Sequence, residues 1–245
     1  MDRKRIRLLA ASIAALAIIA GIAAFFTNKD LVTNVFQASR LRIKVIEPNW
    51  HPNPTIVPEQ EIPKDPFIKN TEETSAYVFM EVTVPVATVT LEKNNYDNEN
   101  NEKGKKDRTA LIPLFRFINS DTADDQDITD PENPAQEINK GWYPMPGYPK
   151  PNVNSSGETV SYTYLYAYTG ADNNTDDTMA VLSPDETTTT SLFDKVKFCN
   201  AREDDTLPGS RQLIDIKAYG IQTEFLISPT QTENKAENVW QYLTK

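Results

Sequence analysis

Every second residue from Ala76 to Val84 is apolar, so that Ala76, Val78, Met80, Val82 and Val84 share one face. Alternation with period two marks a strand buried on one side. A helix cannot use it, because its apolar positions recur every three or four residues. The same rhythm sets Leu41, Ile43 and Val45 against Arg40, Arg42 and Lys44. Between Thr109 and Ile118 it groups Leu111, Phe115 and Phe117. It stacks Val160, Tyr162, Tyr164, Tyr166 and Tyr168 opposite small residues and Leu165. Leu192–Cys199 and Leu213–Ile227 also read as strands. Six or more strands at these spacings predict an all-β fold, an antiparallel β-sandwich of jelly-roll-like kind.

Two phase changes interrupt the pattern. After Pro85 the apolar positions move to Val89 and Leu91, as at a β-bulge or a sheet edge. At Gly220 they move from Ile214, Ile216 and Ala218 to Tyr219, Ile221 and Phe225, which suggests a second bulge. Only the C-terminus has helical spacing. Ala236, Val239, Trp240 and Leu243 predict one short helix packing Trp240 on the sheet, with Thr230 and Glu233 as a capping box. The connections are long: Pro48–Pro66 holds six prolines and reads as an extended tether, and Asn94–Arg108 as a solvated hairpin insertion. Residues 119–158 read as one acidic loop.

The N-terminus specifies a compartment. Arg3, Lys4, Arg5 and Arg7 precede an uncharged apolar run from Leu8 to Phe26, so residues 1–26 read as a signal peptide or an N-terminal membrane anchor. The run of 19 residues just suffices to span hydrocarbon, and small residues at Gly21, Ala23 and Ala24 offer a cleavage site. The expected product is secreted or held at the cell surface, touching the membrane only through residues 8–26, with residues 27–245 forming a single β-sandwich domain. Segment 1–26 has four basic residues against Asp2, a net of +3. With −10 for the whole chain, the body stands at −13. That charge argues against nucleic acid and anionic lipid as partners. The single cysteine, Cys199, excludes an internal disulfide and reads as a buried small hydrophobe in a strand.

The catalytic inventory is thin. His51 is the only histidine and sits between Trp50 and Pro52, a poor setting for the rigidly oriented imidazole that hydrolysis needs. No HExxH is present, and seven glycines in the body leave little material for phosphate cradles. Paired carboxylates at Glu72-Glu73 and Asp124-Asp125 read as solvated charge. The candidate cation site is Asp121, Asp124, Asp125, Asp127 and Asp130, hard oxygen ligands suited to Ca²⁺ but not spaced as an EF-hand; an ordinary acidic loop is the plainer reading. Asp172, Asp176 and Asp177 form a weaker cluster. Leu31, Val32, Val35 and Phe36 form an apolar patch just after the leader. Once cleavage frees it, this arm could pair with its own sheet or extend a neighbour's edge by main-chain hydrogen bonding.

One stretch resembles a known family. Gly21-Ile22-Ala23-Ala24-Phe25-Phe26-Thr27-Asn28-Lys29-Asp30-Leu31-Val32-Thr33-Asn34-Val35-Phe36 is similar to the signature of the TasA/camelysin family, Gram-positive proteins that depend on a dedicated signal peptidase. Lys69-Asn70-Thr71, Ala76-Tyr77-Val78-Phe79-Met80-Glu81-Val82, Leu192-Phe193-Asp194-Lys195-Val196, Ala218-Tyr219-Gly220-Ile221-Gln222-Thr223 and Ala236-x-x-x-Trp240 extend the resemblance over most of the chain. It departs at Arg40-Leu41-Arg42-Ile43, where the family commonly has Gly-x-Val-x-Ile, and in the long acidic insertion.

The resemblance implies a jelly-roll-like sandwich and two divergent activities. One branch builds biofilm matrix fibres in which an N-terminal strand completes the next subunit's sheet. The other is described as a metal-dependent cell-surface endopeptidase. The peptidase role finds no zinc motif to be carried onto, whereas the structural role needs only a sheet edge and the arm at Leu31–Phe36. The expectation is therefore a non-enzymatic surface or matrix subunit partnered by itself or by related subunits, the peptidase being the alternative. An adhesin anchored by residues 8–26 is a third possibility.

Overall fold

The computed structural model describes residues 42–51, 60–91, 108–119, 137–170, 177–199, 214–223 and 234–244. Within them run eleven strands and one helix: β1 (Ile43–Ile46), β2 (Glu61–Pro63), β3 (Phe67–Asn70), β4 (Ala76–Leu91), β5 (Arg108–Pro113), β6 (Phe115–Ile118), β7 (Trp142–Pro144), β8 (Lys150–Val153), β9 (Thr159–Tyr168), β10 (Lys195–Phe198), β11 (Asp215–Gln222) and α1 (Ala236–Leu243). All strand pairings are antiparallel, as the alternating pattern requires. The fold is all-β and sandwich-like, with one sheet curled towards a half-barrel.

The larger sheet runs β11-β4-β9, with β7 and β8 sharing the far side of β9. The smaller runs β2-β10-β6, and β1 pairs with β3 beside it. Between the layers the tyrosine stripe of β9 meets the phenylalanines of β6 and β10. Phe117 stacks on Phe193 at 4.3 Å between ring centroids and meets Tyr164 edge-on at 5.7 Å. Tyr166 and Tyr168 complete the stripe, and all are buried in the same cluster as Val78, Met80, Val82 and Val84. Offset and edge-on contacts suit the ring quadrupole and add to the area that these side chains remove from water.

β4 is the corner of the molecule. Its first half lies between β11 and β9 as far as Thr83 and Pro85, and from Val86 onward it pairs with β5. The phase change at Pro85 is thus an exchange of partners, with an unbroken ladder on either side of it. Proline fits the junction because it lacks an N–H, while its carbonyl accepts a hydrogen bond from Leu114 N–H at 2.9 Å. The expected bulge at Gly220 is not formed: β11 pairs with β4 without a slip from Asp215↔Thr83 to Gln222↔Ala76. The phase changes there because the opposite face gains its own cover. Tyr219 and Ile221 turn away from the main core into a second cluster with Phe79, Leu165 and Ala167, roofed by Ala236, Val239 and Leu243 of α1.

Several sequence expectations are corrected. The stretch 109–118 is two strands broken at Leu114, which reverses its phase. Ile112 and Leu114 are buried with Phe115 and Phe117, while Leu111 is 46% exposed. The loop 119–158 contains β7 and β8 in its second half. β8 carries Pro151 and no apolar alternation, which an edge strand tolerates and a pattern search passes over. The tether 48–66 contains β2 and, at its C-terminal end, a buried polar latch. Lys64 Nζ donates to Glu47 Oε1 at 2.7 Å and lies over the Trp50 ring, and Asp65 accepts from the main chain and side chain of Asn49. α1 begins at Ala236 after an N-cap Lys235 that makes no side-chain cap; Thr230 and Glu233, the expected capping box, lie outside the described residues.

Candidate functional site

The arm residues Leu31, Val32, Val35 and Phe36 lie outside the described residues, as do the leader 1–26 and Asp121, Asp124, Asp125, Asp127 and Asp130. The first described residue, Arg42, is tied firmly to the body. At Arg42 the carbonyl accepts from Thr71 N–H at 2.9 Å and from Thr71 Oγ1 at 2.9 Å, and the guanidinium reaches Glu72 at 3.4 Å. Thr71 follows β3 directly, and Asn70 organises this pole. Wholly buried, it donates from Nδ2 to the carbonyls of Thr74 (2.8 Å) and Leu182 (3.1 Å) and accepts from Glu72 N–H (3.1 Å). Each of its amide atoms is matched, as a buried side chain requires. Gln222 and Thr223, at the end of β11, bond to Thr74 and Ser75 at the same pole. Arg42, the first described residue, is therefore held on a rigid platform at the end of the sandwich where β4 begins and β11 stops.

The edges of the sandwich decide what such an arm could join. Among the described strands, β11 and β5 pair only with β4, β2 only with β10, and β7 and β8 only with β9. β3 is flanked on its second side by residues 186–188: Asn70 N–H donates to Glu186 and Thr188 N–H to Ile68. β8 and the start of β9 form a hairpin at the pole opposite Arg42. Its tip is held by Asn154, whose Oδ1 accepts from the N–H groups of Ser156 (2.9 Å) and Glu158 (3.0 Å). Asn152 Nδ2 donates to Ser161 Oγ and Thr163 Oγ1 across the strands, and Thr163 meets Thr83 Oγ1 at 3.2 Å. A row of short polar side chains thus keeps the ladder in register as far as Asn152, beyond which a β-bulge shifts Val153 onto Thr159.

The outer face of the larger sheet is polar beyond α1. Lys217 Nζ pairs with Glu81 (3.2 Å) and Asp215 (3.4 Å). Tyr219, wedged against Trp240 at 5.4 Å, has its phenol pushed up to about 12 by burial and then by the charge of Glu81.

The remaining residues singled out in the sequence stand apart. His51 is exposed, Glu72 pairs with Arg42, and Glu73 is exposed. Asp177 is bound by Lys235 Nζ, which fastens the entry of α1 to the segment ahead of Met179. Cys199 is a buried thiol just past β10, its N–H donating to the Leu114 carbonyl. Ser191 donates to Asp194 at 3.0 Å, and Asn139 joins them, but this half-buried triangle ties the segment ahead of β10 to residue 139 and contains no imidazole. Among the described residues no three His, Cys, Asp or Glu side chains converge as a metal site, and no helix is long and apolar enough to cross a membrane. The carriers that sequence reasoning missed are Asn70 and Asn154. Each is one asparagine among many until the loop around it is known.

No family model, curated protein or solved structure matches this chain.

Proposed function

We propose that this chain is a secreted or cell-surface structural subunit, a matrix-fibre component that assembles when the arm around Leu31–Phe36 adds as a strand to another copy. The observation that carries the reading is an antiparallel sandwich whose β5, β8 and β11 each have one side unpaired among the described strands, with Arg42, at the C-terminal end of the segment holding Leu31–Phe36, fixed at one pole. Strand addition needs only main-chain donors and acceptors in line, which an unpaired edge supplies along its whole length. The TasA/camelysin resemblance of residues 21–36 supports the same reading.

The test starts from the full-length chain expressed in a Gram-positive host. The expected result is an exported protein that forms filaments visible by electron microscopy, and a variant lacking Asn28–Phe36 that is exported but stays monomeric. Filaments from the deleted variant, or a protein that never leaves the cytoplasm, would overturn the reading. Chelator-sensitive cleavage of casein by the purified protein would favour the peptidase alternative instead.

A further inference from the structure

Charge is spread unevenly over the sandwich. The run 61–70, which holds β2 and β3, lies antiparallel to 187–198. Lys69 forms an isolated bridge with Thr187, and the N–H groups of Thr188, Leu192 and Lys64 donate to the carbonyls of Ile68, Pro66 and Asp194 before β2 meets β10. β1 flanks this run at one end and β6 at the other. Ile43, Ile62, Ile68, Phe117 and Val196 turn inward to the main core. Their neighbours along each strand therefore turn outward. Those neighbours include Lys44, Lys69, Arg116, Lys195 and Lys197, and Glu61 is the only carboxylate among the outward positions of these strands. Lys44 stands directly opposite Lys69, and Lys197 directly opposite Arg116. Like charges opposed across a ladder cost stability. Folding gains nothing from such pairs in a body whose net charge is −13, whereas a partner of opposite charge would.

We infer that this basic strip, on the outer face of the smaller layer, binds an anionic polysaccharide. The two basic pairs are separated by the run from Thr187, beside Lys69, to Lys195, which spans roughly 25 Å at about 3.3 Å per residue. That separation suits a polymer with charges at intervals; a single small anion would need only one pair. Phe67 and Ile46, opposite one another and half-buried, face outward beside the first pair. A ring set among cations offers a sugar an apolar face to stack on while its carboxylates meet the lysines. The acidic remainder of the body does not cancel the strip, because physiological salt confines the influence of each charge to about 8 Å. A membrane or a duplex would press its dense charge against that remainder as well, whereas one polymer strand follows the strip alone. The choice of a saccharide rests on the surface or matrix reading above; the strip itself does not.

The test measures retention of the exported protein on immobilised polygalacturonate, a carboxylated polysaccharide, against uncharged dextran. Retention is expected on polygalacturonate alone and should fall as salt is added. A Lys69→Ala/Lys197→Ala variant is expected to bind about thirtyfold more weakly, at about fivefold for each cation near an anionic surface. Its thermal midpoint should be no lower than that of the native chain, since opposed like charges are relieved. Lys150→Ala, an exposed cation on the other sheet, is expected to bind as the native chain does. Equal retention on dextran, or an equal loss in Lys150→Ala, would overturn the inference. A midpoint that falls in the double variant while retention is unchanged would assign the cations to stability instead. Tighter binding to duplex DNA or to phosphatidylglycerol vesicles than to polygalacturonate would give the strip to another class of partner and overturn it too. Filaments are scored separately from retention. Loss of binding therefore leaves strand addition standing, and a protein that binds without forming filaments leaves the strip standing.

Discussion

At the scale of the residue, the most telling atom is the hydroxyl of Tyr166. It is wholly buried and has no hydrogen-bond partner among the described residues, and burial holds its ionisation well above that of a free phenol. A stranded donor forfeits its bond to water and gains nothing in return. Tyr166→Phe is therefore expected to leave stability unchanged or to raise it by about 1 kcal/mol; a fall of more than that in urea unfolding would show the hydroxyl to be bonded. Tyr219 supplies the pH dependence. Burial, then the Glu81 carboxylate, raises its phenol to about 12 in the folded chain, against about 10 when unfolded. The folded state thus keeps its proton while the unfolded state loses it. This contribution is fully present below pH of about 10 and declines as pH rises towards about 12. Unfolding midpoints across that window should fall in the native chain and fall less in Tyr219→Phe. Equal slopes would place the alkaline loss elsewhere.

At the scale of the element, α1 shows how little local sequence decides. Eight residues without a side-chain cap do not hold a helix in water. What holds it is the face formed by Ala236, Val239 and Leu243, with Trp240 packed on Phe79 at 5.0 Å and on Tyr219. Trp240→Ala is expected to cost about 3 kcal/mol and to expose the C-terminus to proteolysis before the body unfolds. A loss below about 1 kcal/mol would mean that the smaller contacts suffice. The helix was legible because its spacing of three and four stands out in a chain of period two. β4, β9 and β11 were legible for the same reason. β2, β7 and β8 were not: three or four residues are too few for a period, and their prolines read as breaks. Lys64 and Asp65, charged residues in a proline-rich run, also gave no sign of burial, since their partners Glu47 and Asn49 lie 17 and 16 residues earlier, in the turn after β1.

At the scale of the whole molecule, the body from residue 27 onward carries a net charge of −13. Copies of such a chain repel one another, and salt at about 0.1 M shortens that repulsion to about 10 Å. If assembly joins the apolar arm to an unpaired sheet edge of another copy, its rate should rise with added salt, as light scattering would follow. A rate that falls with salt would point to ion pairs as the driving contact. Of the candidate site, the sequence marked the β9 stripe that ends at Val160 as a run of apolar residues. That this end of β9 lies far from Arg42 was not legible, because polarity along a strand says nothing of where its neighbours begin and end.

Alone, the sequence determined the strand character of the chain, the phase of its longest strands, the lone helix and the anionic body, because each follows from neighbours a few residues apart or from a simple sum. Only the tertiary structure decided that β4 changes partners at Pro85, that Gly220 opens a second core rather than a bulge, and that one end of the β9 stripe is left uncovered. These depend on which distant segments come to lie over a face, and burial is a property of that pairing rather than of the residues themselves.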